Sequence, residues 1–160
     1  MGTTVVALAS DEHTVDLLIY STSLSAFELA QEIGVEPDEL KNIGEPGRHG
    51  RPREQSRVRY ESAMPRETPA TEQVAALLRR LGPAAPRLRR LSERPDTEIE
   101  LSVGYFINEE QILDPVCADG VVFRGLGVWL GLPEVELLAA MGSAVDIDIY
   151  VATDTDEEEH

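Results

Sequence analysis

The chain has 160 residues, 42% apolar and 5% aromatic, and a net charge of −16. This length and composition predict one globular domain with a mainly aliphatic core, and they exclude a fully disordered chain. The negative charge argues against binding to nucleic acid or to anionic membranes, because both carry charge of the same sign.

The sequence shows no signal for export or for membrane insertion. No apolar run approaches the roughly 20 residues that span a bilayer, and residues 1–10 lack the basic start of a secretory signal. The single cysteine, Cys117, has no second cysteine with which to form an internal disulfide. These features predict a protein of the reducing cytoplasm.

The predicted elements begin with a strand at 15–20, where apolar residues alternate with others. Residues 1–13 show no clear period and are interpreted as a flexible arm or an extra strand. Ser25 and Glu28 have the spacing of a capping box, which predicts the start of a helix. Gly34 is typical of the left-handed residue that ends a helix.

The middle of the chain is basic. Residues 47–95 carry a net charge of +7, against −8 for residues 1–46 and −15 for residues 96–160. Residues 44–54 are rich in Gly, Pro and Arg, which predicts a loop, and a short strand follows at 56–62.

Leucines at helical spacing then predict a second helix that begins near Pro69 and ends at Gly82. A further turn or two is expected at 86–91. A strand is predicted at 98–105, with residues 121–131 as its antiparallel partner. The loop between them is longer than in most hairpins.

A third helix is predicted from Pro133 to Gly142, followed by a strand at 145–151. Residues 152–160 are interpreted as an acidic disordered tail. The element order predicts a single α+β domain at 14–151. We expect a ferredoxin-like two-layer sandwich, with helices on one face of a mostly antiparallel sheet.

Two parts of the chain resemble each other. Residues 24–34 align without gaps with residues 132–142, and the pattern Val-Asp-x-x-Ile-Tyr occurs at 15–20 and again at 145–150. An internal duplication explains this similarity. Chance likeness between amphipathic segments explains it as well, and both interpretations stay open.

The segment 137–150 resembles the closing motif of the bacterial domain-of-unknown-function family 4279. That motif is a helix ending in glycine, followed by a strand with the sequence Asp-Ile-Asp-Ile-Tyr. Residues 25–37, 42–44 and 74–91 resemble earlier parts of the family in the same order. The family often has a tryptophan entering the second strand, where this chain has Arg57 to Tyr60. The resemblance implies a shared fold and brings no activity, cofactor or catalytic residue.

One candidate site consists of carboxylates that alternate outwards on two predicted strands: Glu98, Glu100, Asp146 and Asp148. They predict a surface for a basic protein partner. A hard-cation site, an acid–base site and a solvated sheet face are the alternatives.

A second candidate site is a group of arginines in the 48–59 segment: Arg48, Arg51, Arg53, Arg57 and Arg59. Guanidinium groups suit a phosphate or a carboxylate. The alternative is a mobile loop whose arginines pair with the acidic body of the domain. No phosphate-binding fingerprint and no zinc-ligand spacing is present, so no cofactor, metal site or catalytic residue is predicted.

The leading functional hypothesis is a non-enzymatic protein-binding module, and its sharpest form is an immunity or antitoxin-like protein that masks a basic toxin. The alternative is a module that binds or transforms a small anionic ligand through the 48–59 segment. A structural subunit of a larger assembly is a third possibility. The sequence does not predict the oligomeric state.

Overall fold

The computed structural model describes residues 12–108, 116–117, 120–121, 128 and 130–152. Within these residues the strands are β1 (Glu12–Ser21), β2 (Glu39–Lys41), β3 (Ser56–Glu61), β4 (Thr97–Asn108), β5 (Val116–Cys117), β6 (Gly120–Val121) and β7 (Ala144–Ala152). The helices are α1 (Ala26–Ile33), α2 (Ala70–Leu81), α3 (Ala85–Ser92) and α4 (Leu132–Met141). Short 3-10 turns occupy Arg48–Gly50 and Gly82–Ala84.

Five strands form one mixed sheet in the order β2-β3-β1-β4-β7. Neighbouring strands are antiparallel except β4 and β7, which run parallel. A parallel pair needs a crossover connection, and α4 lies in the chain directly before β7. Strands β5 and β6 form a separate two-stranded sheet.

Period-2 alternation gives the sheet one apolar face. Leu17 lies at the centre of β1, opposite Tyr60 on one side and Leu101 on the other, and all three are fully buried. Leucines from α2 and α3 cover this face, including the buried Leu77 and Leu88. This arrangement confirms the predicted α+β two-layer sandwich.

The ends of α1 match the sequence signals. The Ser25 hydroxyl accepts a hydrogen bond from the Glu28 backbone N–H at 3.2 Å, and the Ser25 N–H donates to the Glu28 carboxylate at 2.8 Å. Gly34 ends the helix with a φ of +70°. These bonds satisfy backbone groups that a helix otherwise leaves unpaired at its ends.

One predicted pairing is wrong. The two sides of β4 are taken by β1 and β7, and Val121 pairs with Val116 instead. The prediction of 121–131 as the partner of β4 assumed pairing between neighbours in sequence. The apolar row of β4 instead continues that of β1, which the helices cover. Residues 122–127 and 129 lie outside the described part of the chain.

The two similar strand patterns have different environments. Val15 and Ile19 are buried in the central strand, whereas Val145 and Ile149 on the edge strand β7 are 45% and 52% exposed. The helix before β7 does end as α1 does, since Gly142 also has a φ of +70°. The similarity therefore lies in local signals, and internal duplication stays a prediction.

Further predictions can be placed only in part. β1 begins at Glu12, so the last two residues of the predicted N-terminal arm belong to this strand. Residues 1–11 and the predicted tail from 153 onwards lie outside the described residues. Among the described helices, none has the length and apolar character needed to cross a membrane.

Candidate functional site

Both predicted charged clusters reach the sheet face that points away from the helices, here called the open face. Arg57 lies directly opposite Tyr20 on one side of β1, and Glu98 lies opposite Tyr20 on the other. Two residues earlier in β1, Leu18 likewise lies between Arg59 of β3 and Glu100 of β4. Alternation explains this placement, because the residues between them face the core. Basic and acidic halves of the open face thus meet at β1.

The acids of the basic half have partners. Arg59 contacts Asp16 at 3.2 Å and Glu61 at 2.7 Å, and Arg57 pairs with Glu39. Burial acts to raise the pKa of Glu39, but the hydrogen bond and charge of Arg57 outweigh it and hold that pKa below its usual value. The guanidinium groups of Arg57 and Arg59 are thus already neutralised by this chain's own carboxylates.

The carboxylates of the other half form what we call the acidic patch: Glu98, Glu100, Asp146 and Asp148. None of the four forms an ion pair with a basic side chain in the described part of the protein. Burial raises the pKa of the Glu100 carboxyl, and its three neighbours of like charge raise it further. The acidic patch is therefore a concentration of uncompensated negative charge.

An aromatic pair borders the acidic patch. Tyr150 stacks on Phe106 with ring centroids 4.9 Å apart, and its hydroxyl donates to Asp148 at 3.2 Å. Gly104 lies beneath this pair, and a Cβ there would make ordinary contacts of 3.5 Å and 3.6 Å with the two rings but would lie 2.6 Å from the Thr14 hydroxyl oxygen. The described residues contain no group of three or more His, Cys, Asp or Glu side chains placed to hold a metal ion.

The predicted Arg-rich loop is an ordered structure, here called the arm (residues 43–55). Backbone hydrogen bonds join Gly44 to Arg53 at 2.9 Å and Gly47 to Arg51 at 2.7 Å, as in a hairpin. Gly50 turns the chain with a φ of +74°, a conformation that glycine adopts without strain. The prediction of a loop identified the location of the arm and missed its internal bonding.

A cleft of about 500 Å³ lies between the arm and the open face. Tyr20 and Arg57 line it from the sheet, and Arg48, Arg51 and Arg53 line it from the arm. The structure thus brings four of the five predicted anion-binding residues together. Arg59 does not line the cleft, because it is engaged by Asp16 and Glu61.

Charges on neighbouring elements influence two tyrosines of the open face. The charge of Asp148 and its hydrogen bond raise the pKa of Tyr150, whereas the charge of Arg48 acts to lower it. Burial raises the pKa of Tyr20, Glu100 raises it further, and Arg57 acts to lower it. Tyr20 thus lies between the two charged halves.

Tyr20 is the site residue that the sequence analysis missed. It occupies an outward position in β1 between Arg57 and Glu98, but those neighbours come from strands far away in sequence. The alternation of β1 does predict its direction. Cys117 lies in β5 opposite Gly120, in the separate two-stranded sheet.

Comparisons with known proteins identify the domain but not its activity. No curated protein and no solved structure matches the chain. The family model described as a domain of unknown function, DUF4279, matches residues 11–152, which include every described residue and both charged clusters. The chain belongs to the DUF4279 family.

Proposed function

We propose that this domain is a non-enzymatic protein-binding module of the cytoplasm whose acidic patch binds a basic protein. The observation that carries the proposal is the contrast between the two halves of the open face. Asp16, Glu39 and Glu61 all contact arginine, whereas none of the four carboxylates of the acidic patch has a basic partner in the described structure. The single cysteine supports the proposed compartment.

The electrostatics of Glu100 indicate what such a partner would gain. Its pKa is raised because burial and three like charges disfavour the ionised form. A lysine or arginine placed over the patch would reverse this effect by supplying the missing opposite charge. The net charge of −16 would also attract a basic protein over a distance and speed the encounter.

The strand β7 offers apolar contacts on the face opposite these charges. Val145, Ile147 and Ile149 are 45%, 49% and 52% exposed, and they share the face of the buried Leu101 and Val103, whereas Asp146 and Asp148 point to the open face. β7 also lies at the edge of the sheet, where backbone groups are open to pairing. A basic segment paired along the β7 edge would present its own side chains to both faces, so it could contact the carboxylates on one face and the apolar row on the other.

The sharpest form of the proposal is an immunity or antitoxin-like protein that masks a basic toxin. Acidic inhibitors of basic enzymes use steering of this kind, and blocking the enzyme requires no catalytic group. The direct test is co-expression with the product of the adjacent gene. We expect this protein to relieve the toxicity of that product. A neighbour that is not toxic, or toxicity that persists, would contradict the immunity form.

A charge-matched pair of variants tests the patch itself. The patch variant carries E98Q, E100Q, D146N and D148N, and the control removes four acids elsewhere with E32Q, E36Q, E67Q and E72Q. We expect the patch variant to lower the association rate constant for the product of the adjacent gene at least tenfold, measured by biolayer interferometry at low salt. The control should change this rate constant much less. Equal losses in the two variants would show that only net charge matters and would refute a patch-specific site.

A further inference from the structure

We infer that the cleft between the arm and the open face binds a small phosphorylated ligand, independently of the acidic patch. Four arginines and one acid, Glu54, line this cleft of about 500 Å³ in a protein whose net charge is −16. Elsewhere on the basic half of the open face, arginines are paired with carboxylates. In the cleft, the three arginines of the arm add positive charge that is not paired in this way. A volume of this size suits a small molecule.

The guanidinium groups of the arm have no hydrogen-bond or ion-pair partner in the described part of the protein. The side chains of Arg48, Arg51 and Arg53 form no hydrogen bond or ion pair within the described residues, although Arg57 in the same cleft is held by Glu39. An anion in the cleft would supply acceptors to the guanidinium groups of these three arginines, and hydrogen bonds to a charged acceptor are the stronger kind.

The backbone of the arm holds its arginines in place. The backbone carbonyl groups of Arg51 and Arg53 close the hairpin. They accept hydrogen bonds from the N–H groups of Gly47 at 2.7 Å and Gly44 at 2.9 Å. Gly47 lines the cleft, and a Cβ at this position would lie 2.9 Å from the Arg51 carbonyl oxygen. The close approach of the two sides of the arm therefore depends on a residue without a side chain.

The surroundings of Tyr20 give the bound ligand a direction. Arg57 flanks Tyr20 on β3, and Glu98 flanks it on β4. A phosphate would therefore lie towards the arm, where forked guanidinium groups match its oxygens. Glu98 does not line the cleft, but it lies just beyond Tyr20, so its charge disfavours an anionic group that extends past this side chain. The inferred ligand is thus a small phosphate compound whose negative charge stays on the side of the arm.

Calorimetric titration with inorganic phosphate and pyrophosphate tests the inference. We expect wild type to bind pyrophosphate with a dissociation constant in the millimolar range or tighter, and the double variant R51Q/R53Q to bind at least tenfold more weakly. The control R79Q/R90Q makes the same change of charge on α2 and α3. It should bind as wild type does. G47A should also weaken binding, because it distorts the arm and displaces its arginines without removing any positive charge.

Three outcomes would overturn the inference: no binding of either probe by wild type, an equal loss in R79Q/R90Q, or attachment to phosphatidylglycerol vesicles without binding of soluble pyrophosphate. Circular dichroism establishes that each variant is folded. R51Q/R53Q should still capture the basic partner of the acidic patch. The cleft and the patch can therefore fail separately.

Discussion

Replacing Glu100 by glutamine is expected to stabilise the fold, which is unusual for a change in a partly buried sheet residue. Glu100 is opposite Ala144, so Asp146 is its diagonal neighbour, about 7–8 Å away. Glu98, two residues along the same strand, is at about 7 Å. Each such pair repels by about 0.6 kcal/mol in water. With the more distant Asp148 and with screening, the repulsion removed is about 1 kcal/mol at 0.01 M ionic strength and about 0.5 kcal/mol at 0.15 M.

Urea denaturation followed by far-UV circular dichroism measures this gain. The pKa of Glu100 is raised above its ordinary value of 4.5 in the folded state. The folded protein therefore holds this proton more strongly than the unfolded chain does, so the contribution of Glu100 to stability falls as pH rises above that value. E100Q should lack this fall, and its advantage should vanish at pH 3, where wild-type Glu100 is neutral.

E67Q removes one charge from an exposed loop and should change stability by less than about 0.5 kcal/mol. Equal gains in both variants, or a gain that does not shrink with added salt, would refute the reasoning.

Two further predictions concern residues that hold the fold. G142A should destabilise the protein by about 2 kcal/mol or more in urea denaturation, because the residue has a φ of +70° and its Cβ would lie 2.1 Å from the Ser92 hydroxyl. G50A, with a φ of +74° and open space around the Cβ, should cost about 1 kcal/mol, and a larger loss in G50A than in G142A would contradict this explanation. Q73M should lower the thermal midpoint and cost about 3 kcal/mol, because the buried Gln73 side chain accepts from Ser62 and donates to the Thr68 carbonyl, each at 2.9 Å. An unchanged midpoint would show that water replaces these bonds.

The sequence predicted those parts of the protein that depend on local physics. The capping box of Ser25 and Glu28, and the stop at Gly34, need only residues within one helix. Alternation likewise predicted that Arg57 and Glu98 point outwards. It contains no information about which strands are adjacent, so it did not show that both residues flank Tyr20.

The predictions that failed or were missed depend on contacts between distant segments. The partner of β4 was expected nearby in sequence, whereas β1 and β7 pair with its two sides, and α4 lies in the crossover connection that the parallel pair requires. The arm was predicted as a loop because its Gly and Pro content is that of a turn. Its hairpin bonds, such as that from Gly47 to Arg51, follow from backbone geometry that composition does not describe.

The position of β1 has a consequence for biosynthesis. Leu17 pairs with Leu101, so after β1 has been synthesised it lacks one of its two neighbours until 84 further residues have been added. At ~5–20 residues per second this delay is ~4–17 s. During that interval the apolar row of β1 has only β3 and the early helices to cover it. The nascent chain should therefore depend on chaperones most strongly just before β4 emerges.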